Sequence, residues 1–316
     1  ESANLCAGYD STQQAGTEVK ASLVNNRSAF TMLGWIKMSE IPNGRFALFG
    51  QNDVAEFGFH GDVLGQEQME RLGYDITFIS KDIGKFSMDY YKHAKYRNCD
   101  GVVIASVDFK DPDVIRLVES EIPTVTLDYT FDSRSSVLSD NVGGMQEIVR
   151  YVYSNGHRRI AFIHGEDTSV TQKRIASFFK ACSEFDLRIP EAYVRAAIYH
   201  DPRSSGLATR DLLALPERPT CILYPDDFSF IGGMNELERQ GLSIPDDMSV
   251  VGYDGILLSQ VLRPKLTTFR QDAETMGRKA AALLVEQIEN PKSWLPQSVT
   301  VSGTLLEGHS VKTLNI

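Results

Sequence analysis

From residue 61 onward, apolar and polar positions fall into two kinds of segment that alternate along the chain. One kind is a compact apolar run bounded by turn residues: YDITFIS, GVVIAS, PTVTLD, IAFIHG, VRAAI, TCILY, MSVVGY and LTTF. GVVIAS in particular is apolar throughout, as expected of a strand buried on both faces. The other kind repeats apolar residues every three or four positions. Met145, Ile148, Val149, Val152 and Tyr153 form one such stripe, and Ile175, Phe178, Phe179, Cys182 and Phe185 another. That spacing lays a stripe along one helix face. Further helices are predicted from Val63 to Leu72, ended by Gly73, and over 86–96, 112–121, 207–213, 228–240 and 275–288. Asp111-Pro112 and Asp140 are helix starts, whereas Asn155-Gly156 and Gly241 are stops. Strands separated by helices at this spacing imply parallel sheets with right-handed crossovers.

Residues 1–60 follow another rule. The first 28 are polar and rich in small side chains, with Val19, Leu23 and Val24 available for an apolar face. Residues 29–59 alternate aromatic and polar positions around Pro42-Asn43-Gly44, a β-hairpin pattern, and RFALFG fills the slot of a first strand. Trp35 either packs or stacks on a sugar.

Composition narrows the class. A chain of 316 residues suggests two lobes, and 42% hydrophobic with 23% charged residues is ordinary for a globular protein. No apolar run approaches the roughly 20 residues of a membrane span. The first residues show neither the basic nor the apolar region of a secretion signal. A net charge of −10 disfavours direct contact with nucleic acid. Cys6, Cys99, Cys182 and Cys221 are widely spaced, which speaks against a metal or redox site and for reduced thiols in cytosol. No G-x-G-x-x-G follows a strand, and neither a P-loop nor HExxH occurs. The histidines are scattered, with no Ser/His/Asp spacing. No cofactor, metal or catalytic machinery is expected.

Candidate chemistry gathers at strand ends. In Ile244–Asp272, IPDDMSVVGYDGILLSQVLRPKLTTFRQD, a strand stops at Asp254-Gly255. Open α/β sheets place their ligand crevice at such carboxyl ends, so Asp254 either accepts hydrogen bonds from a ligand or simply makes a turn. With NGHRRIAFIHG, PTCILYPDD and LLEGHSV, this stretch resembles the LacI/GalR (lac-repressor-like) family of regulators. The likeness covers about residues 137–311 and extends to 60–136.

The resemblance implies an α/β fold of two Rossmann-like lobes, periplasmic-binding-protein-like of type I, joined by crossovers near 138–140, 270–272 and 292–296. Residues 43–138 plus 272–293 would form one lobe and 139–271 plus 294–316 the other, after a hinge-like segment 1–42. It implies that Arg174 hydrogen-bonds an effector, with Thr168, Ser169 and Thr171 as helpers, the alternative being an arginine on a helix surface; Ser177 stands where the family has glycine. Asp226-Asp227 replaces the family's Asn-Asp, an acceptor-only group in place of an amide. Asp227 is a ligand residue or a helix cap, and Phe228 stacks on a sugar or packs. Asp128 matches the family's aspartate on the first lobe, or serves a turn. Phe59, Tyr199 and His200 are candidate walls, whereas His157-Arg158-Arg159 matches a structural turn. The implied function is effector sensing, with a sugar or polyol bound between the lobes of a cytoplasmic homodimer. Operator DNA would be reached only through a helix-turn-helix head that these residues do not show. Rival readings are a solute-binding protein for import, an enzyme on a doubly wound fold, and, from residues 29–60 alone, a lectin.

Overall fold

The computed structural model describes residues 73–314 except 75, 80, 84 and 85. Expectations for the hinge-like segment, the hairpin, RFALFG, the helix before Gly73, Trp35 and Phe59 lie outside the described residues. In chain order the elements are β1 (Asp82–Ile83), β2 (Phe86–Ser87), α1 (Tyr90–Tyr96), β3 (Val102–Ile104), α2 (Pro112–Glu119), β4 (Thr124–Leu127) and β5 (Ser135–Ser139). There follow α3 (Asn141–Ser154), β6 (Ile160–His164), α4 (Ser169–Glu184), β7 (Val194–Ala196), α5 (Pro202–Leu213), β8 (Cys221–Leu223) and α6 (Phe230–Arg239). The chain closes with β9 (Ser249–Asp254), α7 (Leu257–Val261), β10 (Thr267–Arg270), α8 (Ala273–Glu289), β11 (Ser298–Val301) and β12 (Thr304–Leu306).

Two larger sheets result. One has the order β11-β5-β4-β3 and is parallel throughout; the other runs β12-β10-β9-β8-β6-β7 and is parallel except where β12 meets β10. Each is covered on both faces, except that Val103 of the edge strand β3, expected to be buried, is exposed. Met145, Ile148, Val149 and Phe178 from α3 and α4 pack with Phe162 and Val251 of the larger sheet. Leu212, Leu213, Phe230 and Leu237 from α5 and α6 pack with Ile163, Ile222 and Val250. On the smaller sheet, Val114, Leu117 and Val118 of α2 meet Val102 and Ile104, and Met276, Ala280 and Leu284 of α8 meet Val125 and Val137.

The parallel α/β architecture matches the sequence pattern, with local departures. YDITFIS forms no strand over 76–79, where no ladder partner runs beside it among the described residues. The helix expected from residue 86 starts at Tyr90, because the Asp89 side chain accepts from the Lys92 N–H (2.7 Å) and caps it there. β5 was not predicted, its serines hiding a buried strand. SVTVSGTLLE divides between the two sheets: Ser298–Val301 pairs with β5, and the Ser136 and Ser298 hydroxyls join at 3.0 Å. Only Thr304–Leu306 reaches the larger sheet. The third crossing therefore falls at Ser302–Gly303 and not near 292–296. A side chain at Gly303 would lie 2.4 Å from the Arg270 carbonyl oxygen.

Candidate functional site

The carboxyl ends of the two sheets face each other. Ser169 opens α4 just after β6, and its hydroxyl donates to the backbone carbonyl of Asp128 (3.3 Å), which ends β4 in the other sheet. Asp128 (φ 57°), His200 (φ 55°) and Asp254 (φ 94°) all adopt left-handed backbone conformations. Non-glycine residues held there cost about 1–2 kcal/mol each, and such strain collects at functional sites.

Arg174 is the centre of the arrangement. It projects from α4 and is buried. Its Nε donates to Asn141 Oδ1 (2.8 Å) and its Nη1 to the Pro225 carbonyl (2.9 Å). The guanidinium lies 3.5 Å from the centre of the Tyr253 ring and 5.9 Å from that of Tyr199. Nη2 points towards Asp254 Oδ1 at 3.9 Å. Burial opposes the charge on Arg174, but Tyr199, Tyr253, Asp254 and Asp128 more than offset it and hold the group protonated.

The carboxylates differ in what they touch. Asp254 accepts from Gln271 Nε2 (2.6 Å) and keeps partial exposure. Burial raises its pKa against the pull of Arg174, and Asp226 adds to the rise. Asp128 accepts from the Ser139 N–H (2.7 Å), and burial raises it too. Asp226 is fully buried and accepts from the Ser229 N–H (2.7 Å), the Ser229 hydroxyl (2.7 Å) and the His200 N–H (3.1 Å). The His200 Nδ1 is 3.6 Å away. Asp227 is equally buried; it accepts from Thr268 Oγ1 (2.6 Å) and the Ile256 N–H (2.9 Å). Burial lifts its carboxyl well above the usual range.

Of the sequence candidates, the structure brings Arg174, Asp254, Asp128 and Thr171 together. Thr171 Oγ1 bonds Tyr199 Oη (2.9 Å) and Thr168 Oγ1 (3.1 Å), so it fixes the tyrosine beside Arg174. Phe228 is 39% exposed on the turn before α6 and presents its ring to solvent. Asp226 and Asp227 support the walls: Asp226, not Asp227, satisfies the turn into α6, and Asp227 ties that turn to β9 and β10. Phe59 lies outside the described residues. Sequence reading missed Tyr253, the platform under the guanidinium, because strand alternation assigns it the face opposite Asp254. It also missed Asn141 and the aromatic stack of Phe109, Tyr129 and Phe131, with Phe109 and Tyr129 parallel at 4.5 Å. Gln271 stood within the quoted motif, but nothing in its type announced the bond to Asp254. His157 is a buried turn residue, bridging Thr220 Oγ1 (2.8 Å) and the Lys312 carbonyl (3.0 Å).

A model of the periplasmic binding protein-like domain matches residues 149–311. The HTH-type transcriptional repressor PurR of Escherichia coli is 29% identical over 227 residues, which is 70% of this chain and 66% of the repressor. The match thus spans just under two thirds of that relative's length. A regulatory protein of the LacI family from Chloroflexus aggregans superposes with a TM-score of 0.69 at 26% identity, covering 88% of this chain and 96% of the other. A LacI family transcriptional regulator from Enterococcus faecium, with bound ribose, superposes with a TM-score of 0.69 at 23% identity over 80% and 93% of the two chains.

Proposed function

The chain belongs to the family of periplasmic binding protein-like domains, with a LacI/GalR type of effector-binding core, and from that premise we propose that it senses a sugar or related polyol bound between its lobes. The observation that carries this reading is the convergence of Arg174, Asp254 and Asp128 from three separate elements on one crevice, two of them on strained backbone. A guanidinium edge beside carboxylates offers a donor and acceptors at hydroxyl spacing, which suits vicinal hydroxyls. Tyr199 and Phe228 supply faces for a sugar ring.

The relatives are named as transcriptional repressors and regulators, which favours a regulator over an importer's binding protein. In this reading the chain acts in the cytoplasm without catalysis, as one half of a homodimer, and reaches operator DNA through a separate head. Among the described residues, no helix is long and apolar enough to cross a membrane. Thermal shift and calorimetry against a panel of pentoses, hexoses and disaccharides test the proposal. A ligand at about 100 times its Kd stabilises a fold by roughly 2.7 kcal/mol. A shift that vanishes in Arg174→Ala supports the crevice; binding that is unchanged in both Arg174→Ala and Asp254→Ala refutes it.

A further inference from the structure

Resting on that reading of the cleft, we infer that its ligand is uncharged and that the phosphorylated form of the same sugar is excluded. Arg174 is the one buried arginine or lysine among the described residues. Asp254 on its own lobe and Asp128 on the other act on it electrostatically, and behind Asp254 stand Asp226 and Asp227, which act on Asp254 and on each other. Lys173 acts on Asp128 from an exposed position, and His200 sits beside Asp226. An incoming phosphate dianion finds Arg174 as the one buried arginine or lysine among the described residues, already faced by Asp254 and Asp128, in a region where screening is poor.

The donors point the same way. Phosphate sites are built from backbone N–H groups left open at turns and helix starts. Here five such amides are taken by the chain's own side chains. Asp226 takes the Ser229 and His200 N–H groups, Asp227 takes that of Ile256, Asp128 that of Ser139, and Thr168 Oγ1 that of Thr171. Arg174 has committed its Nε N–H to Asn141 and one Nη1 N–H to the Pro225 carbonyl, which removes the side-on Nε/Nη2 fork from a phosphate. Burial, then repulsion among these aspartates, raises Asp227 and Asp254, as expected where negative charge lacks compensation.

The test titrates the whole chain at pH 7.5 with ribose, glucose and cellobiose, with ribose 5-phosphate and glucose 6-phosphate, and with inorganic phosphate. Any parent sugar that binds should bind at least 100-fold more tightly than its phosphate. A phosphate ester that binds as well as its parent, with dependence on Arg174, overturns the charge inference while leaving the cleft reading intact. A sugar that binds equally well to Arg174→Ala sinks the cleft reading and the inference with it. A second arm needs no known sugar. Asp254→Asn, and Asp128→Asn as an independent variant, lower the negative charge of the site; in a folded variant, inorganic phosphate should give a saturable rise in Tm that the parent chain does not show. A flat response in both folded variants, or a saturable rise in the parent, overturns the inference.

Discussion

Asp254 and Asp227 are both aspartates at strand ends, yet their partners assign them different work. Asp227 closes bonds to Thr268 Oγ1 and the Ile256 N–H inside the lobe, whereas among the described residues Asp254 has one hydrogen-bond donor, Gln271, and an arginine edge beyond bonding distance. Removing Asp227 orphans a buried hydroxyl and a backbone N–H, so Asp227→Ala should lower stability by about 3 kcal/mol or more, read by urea denaturation. Asp254→Ala should leave the fold intact and weaken the sugar by roughly 10–150-fold in calorimetry. Burial also decides His157, whose pKa lies below its ordinary 6.5. The folded chain binds the proton less readily than the unfolded one. Its contribution is therefore fully present above about pH 6.5 and declines as pH falls towards the folded value. The raised carboxyls of Asp128, Asp227 and Asp254 slope the opposite way, so the effect is read as a difference. The stability gap between the parent and His157→Gln should narrow as pH drops from 7.5 to 5.5, and a constant gap would refute it. Asp254 and Arg174 were legible because their motifs place them at a strand end and on a helix behind a polar loop. Which aspartate would be sealed was not, since Asp227 is settled by Thr268, 41 residues on.

Among the elements, those with both an apolar period and a polar start were readable. Asp111, Asp140 and Asp272 each accept from a backbone N–H in the first turn of their helices. β5 escaped because SSVLS carries serines where an apolar pattern was sought; they are buried at no loss since Ser136 bonds Ser298 and Ser135 accepts from the Gln297 N–H. The division of SVTVSGTLLE escaped for another reason. The segment alternates smoothly, and only its partners on two different sheets break it. Glycines separate packing from backbone effects. At Gly232, a Cβ would lie 1.6 Å from the Pro202 carbonyl oxygen, so Gly232→Ala must push α6 off α5. At Gly241, φ is +69° with nothing within 4 Å. Gly241→Ala should therefore cost about 1–2 kcal/mol through backbone strain alone. Gly232→Ala should cost more, about 3 kcal/mol, as overpacking against rigid backbone. Equal melting temperatures for the two variants would contradict the close helix contact.

At the scale of the molecule, the two sheets share no strand among the described residues, and there the chain passes between them at Asp140, at Gln271–Asp272 and at Ser302–Gly303. Bodies linked by such short passages move against one another by hinge rotation at the links. Arg174 and Asp254 belong to the body of the larger sheet, and Asp128 to the other. A ligand held by all three is therefore a bridge, and part of its binding free energy goes into holding the bodies together. Removing Asp128 should uncouple these two effects. We expect Asp128→Ala to bind the sugar about 10-fold more weakly, equivalent to about 1.4 kcal/mol, since one set of hydrogen bonds is lost. Amide hydrogen exchange distinguishes weaker binding from lost bridging. In the parent chain at saturation, protection should rise both in 128–132, after β4, and in 254–258, after β9. In Asp128→Ala at equal saturation, protection should persist in 254–258 and disappear in 128–132. Undiminished protection of 128–132 in the saturated variant would mean that the lobes close without this aspartate, and that the ligand is gripped from the first lobe by other residues.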